Sequence, residues 1–187
     1  MELLEAFDRA LRAFDERVHQ VGEDQWTAAT PATEWSVRDV VGHLTSEHLW
    51  APWLLRGATL AEVGDRYDGD VLGSDPVGAW ARAASASRPA FHRPGALTGT
   101  VHTSGGPAPA DEYAWQMTLD LAVHGWDVAR GIGSGDRIDP ELAAALHERF
   151  AARIPEWQDS GLFAAPIDVP GDASAQDRLI ALTGRRP

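Results

Sequence analysis

The chain has 187 residues, which is enough for a single domain with a full hydrophobic core. Its formal net charge of −12 argues against nucleic acid as a partner, because phosphate binding requires clustered basic side chains. Cysteine is absent, which excludes disulfide bonds, thiolate metal ligands and a cysteine nucleophile.

The first part of the chain predicts two amphipathic helices. Apolar residues recur at three- and four-residue steps from Glu2 to His19, which is the spacing of a helix packed in a bundle. Ser36, with Asp39 three residues later, forms the pattern of a capping box and predicts a second helix that reaches Arg56. We expect Pro52 to kink or shorten this helix.

The rest of the chain predicts further helices joined by loops. The expected elements are a loop over 57–73, helices over 76–87, 111–130, 140–153 and 173–182, a short β-hairpin over 97–104 and a loop over 155–170. Together they predict an all-α protein, a four-helix bundle with extra short C-terminal helices and a small β-hairpin. We expect one domain over residues 1–187, with residues 134–187 packed on the bundle.

A carboxylate and an imidazole lie four residues apart in the longest predicted helix. Asp120 and His124 share a helix face with apolar residues such as Tyr113 and Leu121. A buried carboxylate is costly unless it is paired, hydrogen-bonded or bound to a metal. One more ligand would complete a three-ligand metal site with an open position, and His43 is the candidate. The alternatives are a surface pair and a buried histidine held by a hydrogen bond.

Three polar residues near these positions have several interpretations. Glu47 follows His43 by one helical turn and is a candidate for orienting a ligand, for general-base catalysis or for metal binding. His48 points elsewhere, and we expect a structural or pocket role for it. His102, on the possible hairpin, could reach the site only through the folding of the chain.

Asp127 and Arg130 lie three residues apart on the same predicted helix. The spacing favours a local ion pair. The alternative is that Arg130 binds the carboxylate of a substrate or cofactor through both arms of its guanidinium group. Trp126, between them, is expected in the core.

Two blocks of sequence resemble a known family. They are Pro-x-x-x-Trp-Ser-Val-x-Asp-Val-Val-x-His-Leu within residues 30–45 and Asp-x-x-x-His-Gly-Trp-Asp within residues 119–132. Both resemble the mycothiol-dependent maleylpyruvate isomerase N-terminal family, part of the DinB-like metal-dependent thiol transferase superfamily. The tail over residues 163–187 is similar to an actinobacterial branch of that family.

The resemblance implies a DinB-like four-helix bundle that holds one divalent metal ion. The ion in this family is usually zinc, with nickel as an alternative. The ligands carried over to this chain are His43, Asp120 and His124, and the characterised isomerase has glutamate at the position of Asp120.

The residues and the resemblance together predict a metal-dependent transferase or isomerase. It would use an external low-molecular-weight thiol such as mycothiol to attack an electrophilic substrate, since the chain has no cysteine of its own. Glu47 and Arg130 are the candidates for proton handling and anion binding. The alternatives are a metal-dependent hydrolase and a non-catalytic metal-binding stress-response protein.

The sequence shows no N-terminal segment of signal type and no apolar run long enough to cross a bilayer. We therefore expect a cytoplasmic protein without a membrane partner, present as a monomer or a homodimer.

Overall fold

The computed structural model describes residues 1–154 and 163–187, and its regular structure is mainly helical. In chain order the elements are α1 (Leu3–Val18), α2 (Val37–Leu54), α3 (Leu60–Val63), α4 (Pro76–His92), β1 (Thr100–Thr103), β2 (Gly106–Pro109), α5 (Ala110–Gly131), α6 (Pro140–Phe150) and α7 (Ala175–Leu182). The predicted all-α fold with a small hairpin is confirmed. None of these helices is both long and apolar enough to cross a membrane.

The four long helices α1, α2, α4 and α5 form the bundle. Helix α1 packs against α5, α4 packs against α2, and α2 and α5 also meet. Large side chains fill the space between them, with Phe14 of α1 against Trp80 of α4 at 4.6 Å between ring centroids. Each such fully buried side chain contributes about 1.5–3 kcal/mol to folding. This packing makes the bundle a rigid support for side chains on α2 and α5.

Helices α2 and α5 approach each other closely where α5 ends and α2 begins. A Cβ atom on Gly131 would lie only 2.9 Å from Cγ2 of Val37 and 3.1 Å from Cγ2 of Thr30. Any side chain at this position would push the two helices apart. The glycine therefore sets the distance between the helices that carry His43, Asp120 and His124.

The start of α2 is as predicted. The Ser36 side chain accepts a hydrogen bond from the backbone of Asp39, whose carboxylate accepts one from the backbone of Ser36, so the capping box is complete. Pro52 lies inside the last turn, and α2 ends at Leu54, two residues before the predicted end. A second capping box, Thr59 with Glu62, opens the short helix α3 inside the segment predicted as loop.

Other predicted boundaries also differ from those of the structure, and α6 ends at Phe150, three residues before its predicted end. Helix α4 continues through Pro89 to His92, because a proline near the end of a helix disturbs few hydrogen bonds. The hairpin turns at Ser104 and Gly105, later than predicted, and pairs Val101 with Ala108. Strand β2 leads directly into α5.

Two shorter helices, α6 and α7, follow the bundle in the chain. These two helices contact each other, and α6 also contacts α1. Phe150 and Ile180 belong to the same cluster of buried side chains as the bundle core. Residues 155–162 of the predicted loop lie outside the described residues.

His48 is fully buried between α1 and α4, which agrees with the structural role expected for it. Its ring stacks on Phe7 and meets Trp80 edge-on. Ser87 Oγ donates to the carbonyl of Ala84, so it accepts a hydrogen bond from Nδ1 of His48 at 2.5 Å. Nε2 has no partner within the described residues. A proton there would place an uncompensated charge in the core, and burial lowers the pKa of His48 to about 3.

This burial predicts a pH-dependent loss of stability. The unfolded state takes up a proton on His48 near pH 6.5, whereas the folded state resists protonation down to about pH 3. Stability should therefore fall as the pH drops below 6.5, with a slope of up to about 1.4 kcal/mol per pH unit from this residue. Urea unfolding of metal-free protein between pH 7 and 4 should show a shallower decline for His48→Gln. Ser87→Ala, which keeps the histidine, should retain the wild-type slope, and identical slopes for all three proteins would refute the assignment.

Candidate metal centre

Three polar side chains meet at the contact between α2 and α5. His43 comes from α2, while Asp120 and His124 lie one turn apart on the facing side of α5. One ligand atom from each lies within 4.8 Å of the others. Nε2 of His43 donates a hydrogen bond to Oδ2 of Asp120 at 3.2 Å. The structure thus brings together the three residues that the sequence singled out as metal ligands.

The three side chains are shielded to different degrees. Those of His43 and Asp120 are 30% and 31% exposed, and that of His124 is 11% exposed. His43 also lines an open cleft of about 720 Å³ between the start of α2 and the segment around Leu72. A small molecule in this cleft can therefore contact His43, which is hydrogen-bonded to Asp120.

Trp35 covers the site on one side. Its ring centroid lies 5.1 Å from that of His43 and 5.7 Å from that of His124. The preceding residue, Glu34, adopts a left-handed backbone conformation with φ of 69°, which costs a residue with a side chain about 1–2 kcal/mol. This turn aims the indole at the two imidazoles. Trp35 remains 37% exposed and forms a wall of the cleft.

A hydrogen-bonded chain holds His124 from behind. Nδ1 of His124 donates to Oδ2 of Asp127 at 2.8 Å, one turn further along α5. Nε and Nη2 of Arg185 donate to the two oxygens of the same carboxylate, each at 2.8 Å. The Asp127 side chain is completely buried. Because Nδ1 of His124 carries the proton, its Nε2 keeps the lone pair that a metal ligand needs.

The charges of the site act on one another. Burial lowers the pKa of His43, but the hydrogen bond to Asp120 and the charges of Asp120 and Glu47 outweigh it and raise the pKa. Burial raises the pKa of Asp120, but His43, His124 and Arg185 together hold it below its usual range. Asp120 is therefore an anion at neutral pH and balances positive charge at the site.

Glu47 lies one helical turn after His43 and is half-buried. Burial raises its pKa, the charge of His43 opposes this, and the charge of Asp120 adds to it. A partly buried carboxyl group with a raised pKa near a candidate site is a candidate for proton transfer.

The sequence of residues 7–129 matches the family model described as mycothiol maleylpyruvate isomerase N-terminal domain. The chain belongs to this family. Two uncharacterized proteins of Mycobacterium tuberculosis, MT0763 and Rv0738, are each 30% identical to it over 194 residues, with 99% of this chain and 98% of theirs covered.

Solved structures are similar in fold. Crystal structures of the mycothiol-dependent maleylpyruvate isomerase and of a histidine-to-alanine mutant of it each have a TM-score of 0.65 and 15% identity to this chain. The similarity covers 86% of this chain and 73% of theirs. The family resemblance noted in the sequence is thereby confirmed, together with its helical fold.

The expected ion pair between Asp127 and Arg130 is wrong. Asp127 binds Arg185 instead, because its side chain points into the protein, whereas Arg130 is on the surface. Arg130 pairs with Asp136 at 3.1 Å and lies over the ring of Trp126, which is in the core as expected. Arg130 also projects about 120° around α5 from His124. Its role in anion binding stays a prediction, and this direction does not favour it.

His102 is not among the described residues whose ligand atoms lie close enough together to hold one ion. It is half-buried on β1, and its charge acts on Glu62 of α3. We therefore do not include it among the residues that form the candidate centre.

Sequence reasoning missed two residues that shape the site. Asp127 follows His124 by three residues, and this spacing alone could have suggested a carboxylate partner for the imidazole. Arg185 has no such signal, because 58 residues separate it from Asp127. Only the folding of the chain brings the two side chains together.

The buried carboxylate predicts a large effect on stability. Asp127→Ala would leave Nε and Nη2 of Arg185 and Nδ1 of His124 without their acceptor, which should lower the free energy of unfolding by about 3–5 kcal/mol. Asp136→Ala removes an aspartate of a more exposed pair with Arg130 and should cost under about 1 kcal/mol. Denaturant titration of both variants in metal-free buffer measures the difference. Equal losses would mean that the buried pair contributes no more than the more exposed one.

Proposed function

We propose that this protein is a metal-dependent enzyme of the thiol transferase or isomerase type. In it, an external low-molecular-weight thiol such as mycothiol attacks an electrophilic substrate in the cleft beside His43. The observation that carries the proposal is the meeting of two imidazoles and a carboxylate beside an open cleft, in a chain without cysteine. Membership of the mycothiol maleylpyruvate isomerase family supports the choice of thiol.

The donor set fits one divalent ion. Two imidazole nitrogens and one carboxylate oxygen match open catalytic zinc sites, so we propose zinc, with nickel as the alternative. The proton between His43 and Asp120 marks a position where a cation would bind, and Nε2 of His124 is free to face it. When bound, such an ion would supply positive charge that favours the deprotonated, nucleophilic form of a thiol.

The residues of the chain would have separate tasks in the reaction. Glu47 would accept or return a proton as the substrate changes, because burial raises the pKa of its carboxyl group and so makes it a better proton acceptor. Trp35 would hold the reactants against the site and exclude water from one side. Asp127 would keep Nδ1 of His124 protonated throughout.

The acidic side chains of the cleft influence which substrates can enter it. Glu34, Asp39 and Asp70 line it, and Arg38 is the one arginine among the described residues that do so. Arg38 is already bound to Asp70 at 2.8 Å. We therefore propose that uncharged electrophiles enter more readily than substrates with two carboxylates.

We also propose that residues 1–187 form one domain, with residues 134–187 packed on the bundle. The shared cluster of buried side chains and the contact of Arg185 with Asp127 support this arrangement.

The proposed site predicts one bound metal ion per chain. Zinc added to metal-free protein should bind at a ratio of one, seen by native mass spectrometry, with ligand distances of about 2.0–2.2 Å. At a free concentration of 100 times the Kd, binding should add about 2.7 kcal/mol of stability, which is roughly 5–10 °C in Tm. His43→Ala, Asp120→Ala and His124→Ala should each lose the ion, while His102→Ala should keep it. Retention of zinc by all three ligand variants would contradict the site.

The proposed chemistry predicts thiol-dependent turnover. Zinc-loaded protein should join mycothiol to an epoxide or quinone, or isomerise an unsaturated acid, faster than the mixture without protein. Glu47→Gln should retain zinc and lower kcat by about 10²–10⁴-fold, because it removes the proton acceptor. His124→Ala should abolish activity, and Glu62→Gln, on the short helix α3, should leave it unchanged.

Other outcomes of the same assay select other functions. Hydrolysis of ester or amide substrates without any thiol conjugate would replace this proposal with a metal-dependent hydrolase. An absence of turnover with every substrate, in protein shown to contain zinc, would favour a non-catalytic metal-binding protein.

A further inference from the structure

The C-terminal segment of the chain, residues 183–187, reaches the back of the candidate metal centre. Arg185 places Nε and Nη2 on the two oxygens of Asp127, each at 2.8 Å. Such a paired contact fixes the plane of the carboxylate as well as its charge. The Arg185 side chain is only 11% exposed and the Asp127 side chain is 0% exposed, so water has little access to this pair.

The same carboxylate determines which nitrogen of His124 carries a proton. Oδ2 of Asp127 accepts a hydrogen bond from Nδ1 of His124, and it also accepts one from Arg185. Guanidinium, carboxylate and imidazole thus form one continuous chain of hydrogen bonds. The orientation of the carboxylate, which Arg185 sets, becomes the orientation of the imidazole.

We propose that Arg185 is a positioning residue for the metal centre: by docking on Asp127, the C-terminal segment fixes the tautomer and orientation of His124 and so sets the affinity for the metal. This inference rests on the proposed metal-dependent function and adds to it a structural element that controls the site.

The backbone presents the arginine in the required position. The Arg185 amide donates to the carbonyl of Ile180, which folds the segment back at the end of α7. Gly184 has φ of 77°, and a Cβ atom there would lie 2.6 Å from Cβ of Ala164. The segment therefore depends on glycine at this position to lie against its neighbour and direct the next side chain inward.

Arg185 lies outside the part of the chain that matches the family model, which ends at residue 129. The candidate ligands His43, Asp120 and His124 all lie within the matched part. A chain of this family with a different C-terminal segment would need another partner for the carboxylate at the position of Asp127.

Docking of the segment and binding of the metal must favour each other equally. If docking raises metal affinity by a given factor, metal binding raises the stability of the docked segment by the same factor. Partners of this kind that support a metal-binding histidine are typically worth 10- to 100-fold in metal affinity. The coupling can therefore be measured either as a change in metal affinity or as a change in the stability of the docked segment.

The first measurement is the zinc affinity, determined by competition with a chromophoric chelator. Arg185→Ala should weaken zinc binding by 10- to 100-fold, and Arg185→Lys by less, because lysine keeps the charge but not the paired contact. Arg186→Ala is the matched control: it removes an exposed arginine from the same segment and should leave the affinity unchanged. In an Asp127→Asn background, Arg185→Lys should have little further effect, since the two residues act through one contact.

The second measurement needs no metal and separates this inference from the proposed function. ¹⁵N NMR of the metal-free protein at pH 8.5 should show His124 protonated on Nδ1 in the wild type. A mixture of tautomers is expected in Arg185→Ala. If Arg185→Ala does not fold, Arg185→Lys carries the comparison.

The third measurement uses the composition of the chain, which contains no lysine. Arg185→Lys therefore introduces the only side-chain amine, and its acylation rate reports how often the C-terminal segment leaves the carboxylate. Saturating zinc should slow this acylation, with the α-amino group as the internal reference.

The results separate the two proposals. Unchanged zinc affinity in Arg185→Ala, or an unchanged His124 tautomer, would overturn the positioning role. If the wild-type protein binds no zinc but the His124 tautomer still differs between wild type and Arg185→Ala, the proposed function is overturned. The contact of Arg185 with His124 through Asp127 is then still supported.

Discussion

The carboxylate of Asp127 has no contact with water, and the centre of the molecule is arranged around the need to balance its charge. An ionised carboxylate in such surroundings costs several kcal/mol unless it is paired and hydrogen-bonded. His124 satisfies one side of it, and Arg185, distant in sequence, satisfies the other. Burial raises the pKa of Asp127, but these two partners hold it below its usual range. One buried charge therefore ties α5, the C-terminal segment and the candidate metal centre together.

Much of this arrangement follows from local sequence. The apolar spacing of α1 and the capping box at Ser36 give the helices nearly residue by residue, because both depend on neighbours within one or two turns. The pairing of Asp120 with His124 also needs only the geometry of a helix. The start of α3 also has a local signal, since Thr59 and Glu62 form the pattern of a capping box within a polar segment.

The features of the site that the sequence does not predict depend on contacts between distant segments. The partner of Asp127 is Arg185 rather than the nearby Arg130, because burial of a side chain is decided by packing and not by spacing. His43 could be named from the sequence as a candidate third ligand, but 77 residues separate it from Asp120, and only the fold brings the two side chains into contact. The position of Trp35 depends on the left-handed backbone conformation of the residue before it. That residue is Glu34, where a glycine would be the usual signal of such a turn.

The direct junction between β2 and α5 constrains how the length of this chain can vary during evolution. The first residue of α5, Ala110, is held by a hydrogen bond from its amide to the carbonyl of Gly99, so the hairpin fixes where the helix starts. Each added residue rotates a helix by about 100°. A single insertion between Ala110 and Asp120 would therefore turn the carboxylate away from His43, whereas one at the turn of the hairpin would be absorbed there. The hairpin therefore fixes the rotational position of the helix that carries two of the three candidate ligands.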